Sequence, residues 1–152
     1  MPSETRWLNA QERQAWRNLS LMQLQLDALL GRELAAEGLS YQDYLVMADL
    51  SERDGEQARM SELGHHLGWE KSRLSHHISR MEKRGLVAKV KCPTDKRGWF
   101  VCLTDNGRQA ISQAAPEHVE SVRRNFIDLL TSDQLEALDE IANIVLDHLP
   151  EE

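Results

Sequence analysis

Cysteine is scarce: Cys92 and Cys102 are the only two in 152 residues, and no CxxC pair occurs. That excludes a disulfide framework and a cysteine-rich zinc site, and it fits a reducing cytoplasm. No apolar run approaches the ~20 residues needed to span a bilayer, so no membrane partner is expected. The opening stretch MPSETRWLNAQERQ has no apolar segment of the kind a secretory signal needs. Aromatic residues are 5% of the chain, so a core must come mostly from Leu, Ile, Val, Met and Ala. Such a mix suits helices better than a β-sandwich. Also missing are a nucleophile elbow, a P-loop, G-x-G-x-x-G and H-E-x-x-H. Without them an enzyme is not expected, and no catalytic residue, cofactor or metal site is predicted.

Apolar residues make up 41% of the chain, enough for one compact domain or two tightly fused small ones. The net charge of −7 argues at first against a nucleic-acid partner. The average hides an asymmetry. Residues 71–97 hold nine basic side chains against Glu82 and Asp95, a surplus of seven, while the rest of the chain carries nine basic and 23 acidic ones. A concentrated cationic face on an acidic body can bind phosphate locally while the body stays soluble. A charge run is more often just a solvated helix face, so pattern has to decide.

Apolar residues recur at helical spacing from about Ala10 to Leu34, through Trp16, Leu19, Leu26 and Leu29–Leu30. Ser40 with Asp43 reads as the start of a second helix over about 41–50, and Glu52 to Gln57 as a turn around Asp54–Gly55. A short helix opens at Met60–Ser61 and breaks at Gly68; a longer one follows from about Glu70 to Arg84 and ends at Gly85. Residues 86–92 alternate, with Leu86, Ala88, Val90 and Cys92 on one face and Val87, Lys89 and Lys91 on the other. Pro93 to Gly98 is turn chemistry and Trp99 to Leu103 is β-rich, so the pair reads as a hairpin with a long basic tip. Thr104 caps a helix predicted to reach about Leu130, with Pro116 expected to kink or interrupt it. Thr131 and Gln134 form a capping-box pattern for a last helix to Leu149.

On the helix from Glu70 to Arg84, Leu74, Ile78 and Met81 fall on one side and face the core. The other side carries Ser72, His76, Ser79, Arg80 and Lys83, flanked by Arg73 and Ser75. A short helix, a turn at Gly68–Trp69 and a second helix make helix-turn-helix spacing, and the second helix of that motif enters the major groove of double-stranded DNA. Ser72, Arg73, His76 and Arg80 are the candidate base contacts, and Ser75 at their flank is a further DNA-binding candidate. An arginine on guanine is worth about 1–3 kcal/mol of discrimination. Lys71, Lys83 and Ser61, at the start of the short helix, are assigned to phosphate. Lys96 and Arg97 on the hairpin tip reach the minor groove or its phosphates. Asp95 either holds Arg97 in place or simply forms the turn.

At this point LGWEKSRLSHHISRMEKRGLVAKVKCPTDKRGWFVCLTDNGRQAI resembles the core signature of the MarR family of bacterial regulators. The matching pieces are the KSxLSxxIxRMExxGLV run, the D-x-R wing and the LTxxG that opens the next helix. The helices on either side fit too, so the resemblance covers nearly the whole chain. It implies a mainly α fold with a small β-hairpin wing: a winged helix-turn-helix over 53–103, centred on 58–103, with dimerisation helices at 8–36 and 104–149 of one 152-residue chain. It also implies a homodimer on a palindromic operator, usually a repressor, released by a small phenolic or carboxylate ligand. By resemblance the ligand would sit between the dimer helices and the winged domain, where Trp16, Arg17, Tyr44, Met47 and His66 are the candidate lining residues. The tryptophan-bearing first helix is similar to the urate-responsive branch, but that branch uses an acidic residue where Leu45 stands, so urate is not the expected ligand. Independently, Trp7, Trp16, Leu19, Leu26, Leu129, Leu130, Leu138 and Val145 are too apolar for the surface of a monomer.

Two alternatives stay open. A regulator of the same fold could respond to redox state or metal, or a winged helix could dock protein. The pairs His65–His66 and His76–His77 point about 100° apart on a helix, so neither pair chelates one ion by itself; one outward and one packed histidine per pair is expected. If His76 meets DNA, operator binding strengthens below about pH 6.5. In a simple hairpin Cys102 lies opposite Lys89, not Cys92, which disfavours a disulfide. Cys92 beside Lys91 is the candidate redox thiol. A protein-docking face would be acidic or apolar, and this one is cationic.

Overall fold

The computed structural model of the chain describes residues 4–91 and 98–150. Helix α1 (Ala10–Ala35) opens on Asn9, whose side chain accepts from the Glu12 N–H while the Glu12 carboxylate accepts from the Asn9 N–H. Only Leu30 and Leu34, near its C-terminal end, are buried. Helix α2 (Tyr41–Ser51) is capped reciprocally by Ser40 and Asp43 as the sequence predicts, and six of its eleven residues are buried.

A three-residue strand, β1 (Gln57–Arg59), follows the turn. The sequence pattern places the first of these residues in a turn and predicts no strand for the others. Three residues carry too little alternation to register, and β1 exists because Ala58 lies opposite Val101 in the sheet. Helix α3 (Met60–Leu67) ends at Gly68 in the left-handed region, φ 66°. Helix α4 (Lys71–Lys83) ends through Gly85, φ 75°, with the Leu86 N–H donating to the Met81 carbonyl. Strands β2 (Val87–Lys91) and β3 (Trp99–Leu103) complete an antiparallel sheet in the order β1-β3-β2.

The alternation of β2 is legible in the sequence, but not which face is covered. Val87 is buried and pairs with Leu103, whereas Val90 is half exposed. The face of Val87 and Lys89 therefore lies on the core. Lys89 is tolerated there because its stem packs inward while its amine reaches Ser79 Oγ, 3.2 Å, at the rim. Cys102 lies opposite Ala88 and Lys89 opposite Val101, one residue from the predicted register. Cys92 and the tip of the hairpin lie outside the described residues.

Helix α5 (Asp105–Asn125) starts on Thr104, whose Oγ1 accepts from the Gly107 N–H and lies 2.6 Å from the Gly85 carbonyl. A Cβ at Gly107 would stand 2.1 Å from the Leu86 carbonyl oxygen, so the LTxxG motif is a close crossing of helix over strand. Helix α5 runs through Pro116 without a break. The carbonyl that loses its partner belongs to Ser112, which is exposed, and Pro116 itself faces solvent, so water can satisfy the orphaned acceptor. The helix stops at Asn125, short of the predicted Leu130, and a 3₁₀ turn over Ile127–Leu129 leads to α6 (Ser132–His148).

The core lies between α2, α3, α4, the sheet and the first half of α5. Val46, Met47, Leu50, Leu63, Leu74, Ile78, Met81 and Val101 lose essentially all their surface there. Each such side chain contributes roughly 1.5–3 kcal/mol of burial.

Candidate nucleic-acid interface

Helix α4 presents the two faces its sequence promised. Leu74, Ile78 and Met81 are buried, while Lys71, Ser72, Arg73, Ser75, His76, Arg80 and Lys83 are exposed. Ser61 is exposed in the first turn of α3. The exposed residues of α4 therefore share one accessible surface. Asp95, Lys96 and Arg97 lie outside the described residues.

Not all of the exposed polar groups are free. Ser72 Oγ donates to Glu70 Oε1, 2.9 Å. The Arg73 guanidinium stacks over the Trp69 ring, 4.9 Å from its centroid, a cation–π contact that holds an otherwise floppy side chain. His77 packs its ring edge-on to the same indole, with centroids 5.4 Å apart. Arg80 Nη2 donates to His77 Nδ1 at 3.2 Å. Trp69, Arg73 and His77 are spaced by four residues and Arg80 by three more. That spacing is visible in the sequence and identifies Trp69 and His77 as the half-buried residues that hold Arg73 and Arg80; reading Gly68–Trp69 only as a turn misses it.

Helix α2 holds both helices of the motif through two buried carboxylates. Asp49 accepts from Arg53 Nε, 2.6 Å, and pairs with His66 Nδ1 on α3. Asp43 reaches α4: Arg84 Nη1 donates to Asp43 Oδ2 at 2.6 Å, and His77 Nε2 lies 2.9 Å from Asp43 Oδ1 without a well-aligned hydrogen bond. The second Arg84 nitrogen donates to the Gly38 carbonyl, 2.7 Å. Burial works to raise the Asp43 pKa. The Arg84 hydrogen bond, the Ser40 N–H and the charges of Arg84 and His77 outweigh it and hold the carboxyl below its ordinary value. His77 is pushed below the usual histidine value chiefly by burial, with the charges of Arg80 and Arg84 adding to the effect against the pull of Asp43.

The cationic surplus is therefore smaller at the surface than in the sequence. Arg84 is engaged by Asp43 and Gly38, and Lys89 lies 3.9 Å from Glu82, whose carboxylate also accepts from the Lys89 N–H. Lys71, Arg73, Arg80 and Lys83 remain as the outward cations of α4.

The five residues assigned to a ligand pocket are scattered. Trp16 and Arg17 are exposed on the N-terminal half of α1, Met47 is in the core, and His66 sits on Asp49. Tyr44 is buried against His118, ring centroids 4.1 Å apart. Open cavities bordered by the described residues include two beside α1. One, of about 540 Å³, is bordered by Asp27, Tyr41, Asp43 and Arg84, and the other, of about 670 Å³, by Met22, Leu26, Arg32, Asn125 and Phe126. None of the five lines either. Of the histidine pairs, 76–77 divides into one exposed and one packed ring, but His65 and His66 are both exposed. Among the described residues no group of three or more His, Cys, Asp or Glu is placed to hold a metal ion, and no helix is long and apolar enough to cross a membrane. Cys102 is partly buried, which raises its thiol pKa, and its Sγ donates to Gln57 Oε1 at 3.5 Å.

A family model for the transcriptional regulators SarA/Rot matches residues 32–114. The transcriptional regulator HosA of Escherichia coli O111:H- is 33% identical over 99 residues, which is 64% of this chain and 70% of HosA. The crystal structure of AbsC, a MarR family regulator from Streptomyces coelicolor, superposes with a TM-score of 0.90 at 42% identity, covering 95% of this chain and 97% of AbsC. Sco3205, a MarR family regulator from the same organism solved in complex with DNA, superposes with a TM-score of 0.93 at 38% identity, covering 97% and 94% of the two chains.

Proposed function

The chain belongs to the MarR family of winged-helix transcriptional regulators, relatives that are regulators and not enzymes, and from that premise we propose that it binds a palindromic operator as a homodimer and represses transcription until a small ligand releases it. The observation that carries the DNA part is the exposed surface of α4, with Arg73, His76, Arg80 and Lys83 displayed on the second helix of a helix-turn-helix. In this reading Ser72, Arg73, His76 and Arg80 meet base edges with Ser75 at their flank, Lys71, Lys83 and Ser61 meet phosphates, and Lys96 and Arg97 reach the minor groove or its phosphates, with Asp95 holding Arg97 or forming the turn.

The dimer is supported by α6, none of whose residues is buried, although Ile141, Ile144 and Val145 on it and Leu149 at its cap are apolar. Trp16, Leu19 and Met22 on α1 are exposed as well. For a second copy covering these faces to read the next half-site, its α4 must stand about 34–36 Å from the first, one turn of duplex. The ligand part rests on family membership, and an aromatic or carboxylate effector fits the apolar cavity beside Arg32 better than a cation does.

The test is a mobility shift with the DNA upstream of the chain's own gene. Affinity is expected to fall roughly a thousandfold between about 50 and 200 mM salt. Salt-independent binding, or none, overturns the DNA reading and favours protein docking. A reporter that rises when the gene is deleted, and falls on complementation, identifies a repressor.

A further inference from the structure

His77 joins an outward side chain of α4, Arg80, to a carboxylate buried on α2, Asp43. Arginine carries only donors, so the contact between Arg80 Nη2 and His77 Nδ1 makes Nδ1 the acceptor. The ring proton then resides on Nε2, which lies 2.9 Å from Asp43 Oδ1; the hydrogen bond is not well aligned, but a carboxylate charge at that distance favours the proton on this nitrogen. Asp43 is itself immobilised: it is 2% exposed, accepts from Arg84 Nη1 and accepts from the Ser40 N–H within the cap of α2. An aromatic wall, Trp69, keeps the imidazole from turning away. A chain of contacts thus runs from the α2 cap through one tautomer of His77 to the guanidinium of Arg80.

We propose that Asp43 and His77 are positioning residues for operator reading: Asp43 selects the His77 tautomer whose free Nδ1 holds Arg80 in the orientation that meets the groove. This rests on the DNA-binding role of α4 proposed above. An arginine side chain surrenders considerable rotamer freedom when it meets a base. Holding Arg80 before the encounter removes part of that loss, so the pair acts on sequence discrimination as well as on affinity.

The same arrangement carries a proton dependence of defined sign. The charged groups facing His77 are Asp43 from α2 and Arg80 and Arg84 from α4 and its C-terminal cap. While the ring is neutral, Nδ1 accepts from Arg80. Once protonated, Nδ1 becomes a donor, cannot accept, and repels both arginines while drawing closer to Asp43. Acid therefore frees Arg80. His76, exposed on the same helix, would act in the opposite direction if it meets phosphate.

The experiment measures operator affinity by fluorescence anisotropy for a set of single-base-pair operator variants, at fixed salt, with the full-length chain. The proteins are the parent, His77→Phe, Asp43→Asn, Arg80→Ala and the double variant His77→Phe/Arg80→Ala. Phe keeps the ring against Trp69 but removes both nitrogens; Asn keeps an oxygen for the Ser40 N–H but loses the charge. His77→Phe is expected to weaken binding about fivefold to tenfold and to relax discrimination at the same base pairs as Arg80→Ala. The double variant is expected to be no weaker than Arg80→Ala alone. In a His76→Gln background, parent affinity falls on acidification with a midpoint below about 6.5, and His77→Phe abolishes that dependence. Additive losses, unchanged base preference in His77→Phe, or a pH profile indifferent to residue 77 each overturn the proposal. Should Asp43→Asn lose its helix signal, His77→Phe still decides, because it leaves the cap of α2 intact. If the parent binds no operator, the DNA reading itself fails, a separate outcome from a parent that binds and a His77→Phe that binds identically.

Discussion

The winged unit and the terminal helices both carry apolar stripes, yet those stripes end in opposite states. In the unit, Leu63, Leu74, Ile78, Met81 and Val101 are wholly buried, and two carboxylates of α2 brace α3 and α4 from behind. In α6 no residue is buried, and Ile141, Ile144, Val145 and Leu146, with Leu149 at its cap, are each more than half exposed. The first region completes its core within one chain. The second leaves its apolar stripe uncovered within the chain, and in the proposed dimer a second copy would finish that core, since an exposed stripe of this length is unfavourable in water.

The largest effect should come from spoiling the unfinished half. Ile141→Glu together with Val145→Glu is expected to convert a dimer into a 17.4 kDa protomer on light scattering. Operator affinity should fall by at least about a hundredfold, because the second half-site no longer binds as part of the same molecule. A mass unchanged from the parent would break the contrast between the two regions.

Glycines sharpen it. Gly107→Ala puts a Cβ 2.1 Å from a carbonyl oxygen inside the finished unit, and should lower unfolding stability by about 3 kcal/mol, read from the urea midpoint. Gly31→Ala meets nothing within 4 Å on α1 and should raise it by about 0.5–1 kcal/mol. A loss at position 31 instead would place the partner's surface against that turn of α1.

A smaller effect should follow pH. Burial lowers the pKa of both His77 and His118 in the folded chain. The unfolded chain therefore takes up protons first as pH drops below about 6.5, so stability is complete above that value and declines below it. Thermal midpoints between pH 7.5 and 5 should fall, and His118→Gln should flatten part of the decline. A midpoint that rises on acidification contradicts the burial of these rings. Least of all should be Cys102→Ser: a change within about 0.5 kcal/mol and unaltered operator binding, because that thiol is shielded and its pKa raised. Peroxide-sensitive binding lost in this variant would restore the redox alternative for that cysteine.

Local chemistry is the readable part. The Ser40–Asp43 and Thr131–Gln134 caps, the stops at Gly68 and Gly85, and the Leu74–Ile78–Met81 stripe all depend on residues within a few positions of one another. For the same reason the exposed side of α4 follows from periodicity alone. The strand face is ambiguous in the sequence because Leu86 and Val87 are both apolar and adjacent, and both are buried. Strand β1 is invisible there because only its pairing with β3 defines it. Pro116 does not interrupt α5, because its cost depends on whether the orphaned carbonyl is wet.

By itself, then, the sequence determined the order and type of most elements, the family, and which face of α4 points outward, since periodicity, caps and turn residues act over one or two turns. Only the tertiary structure decided which charges remain free. Arg84 and Asp43 are 41 residues apart, and His66 and Asp49 are 17 apart. Their pairing exists because packing α2 across α3 and α4 buries the two carboxylates, and a buried charge must find a partner. That requirement took Arg84 out of the cationic surface and tied the outward Arg80, through His77, to the interior.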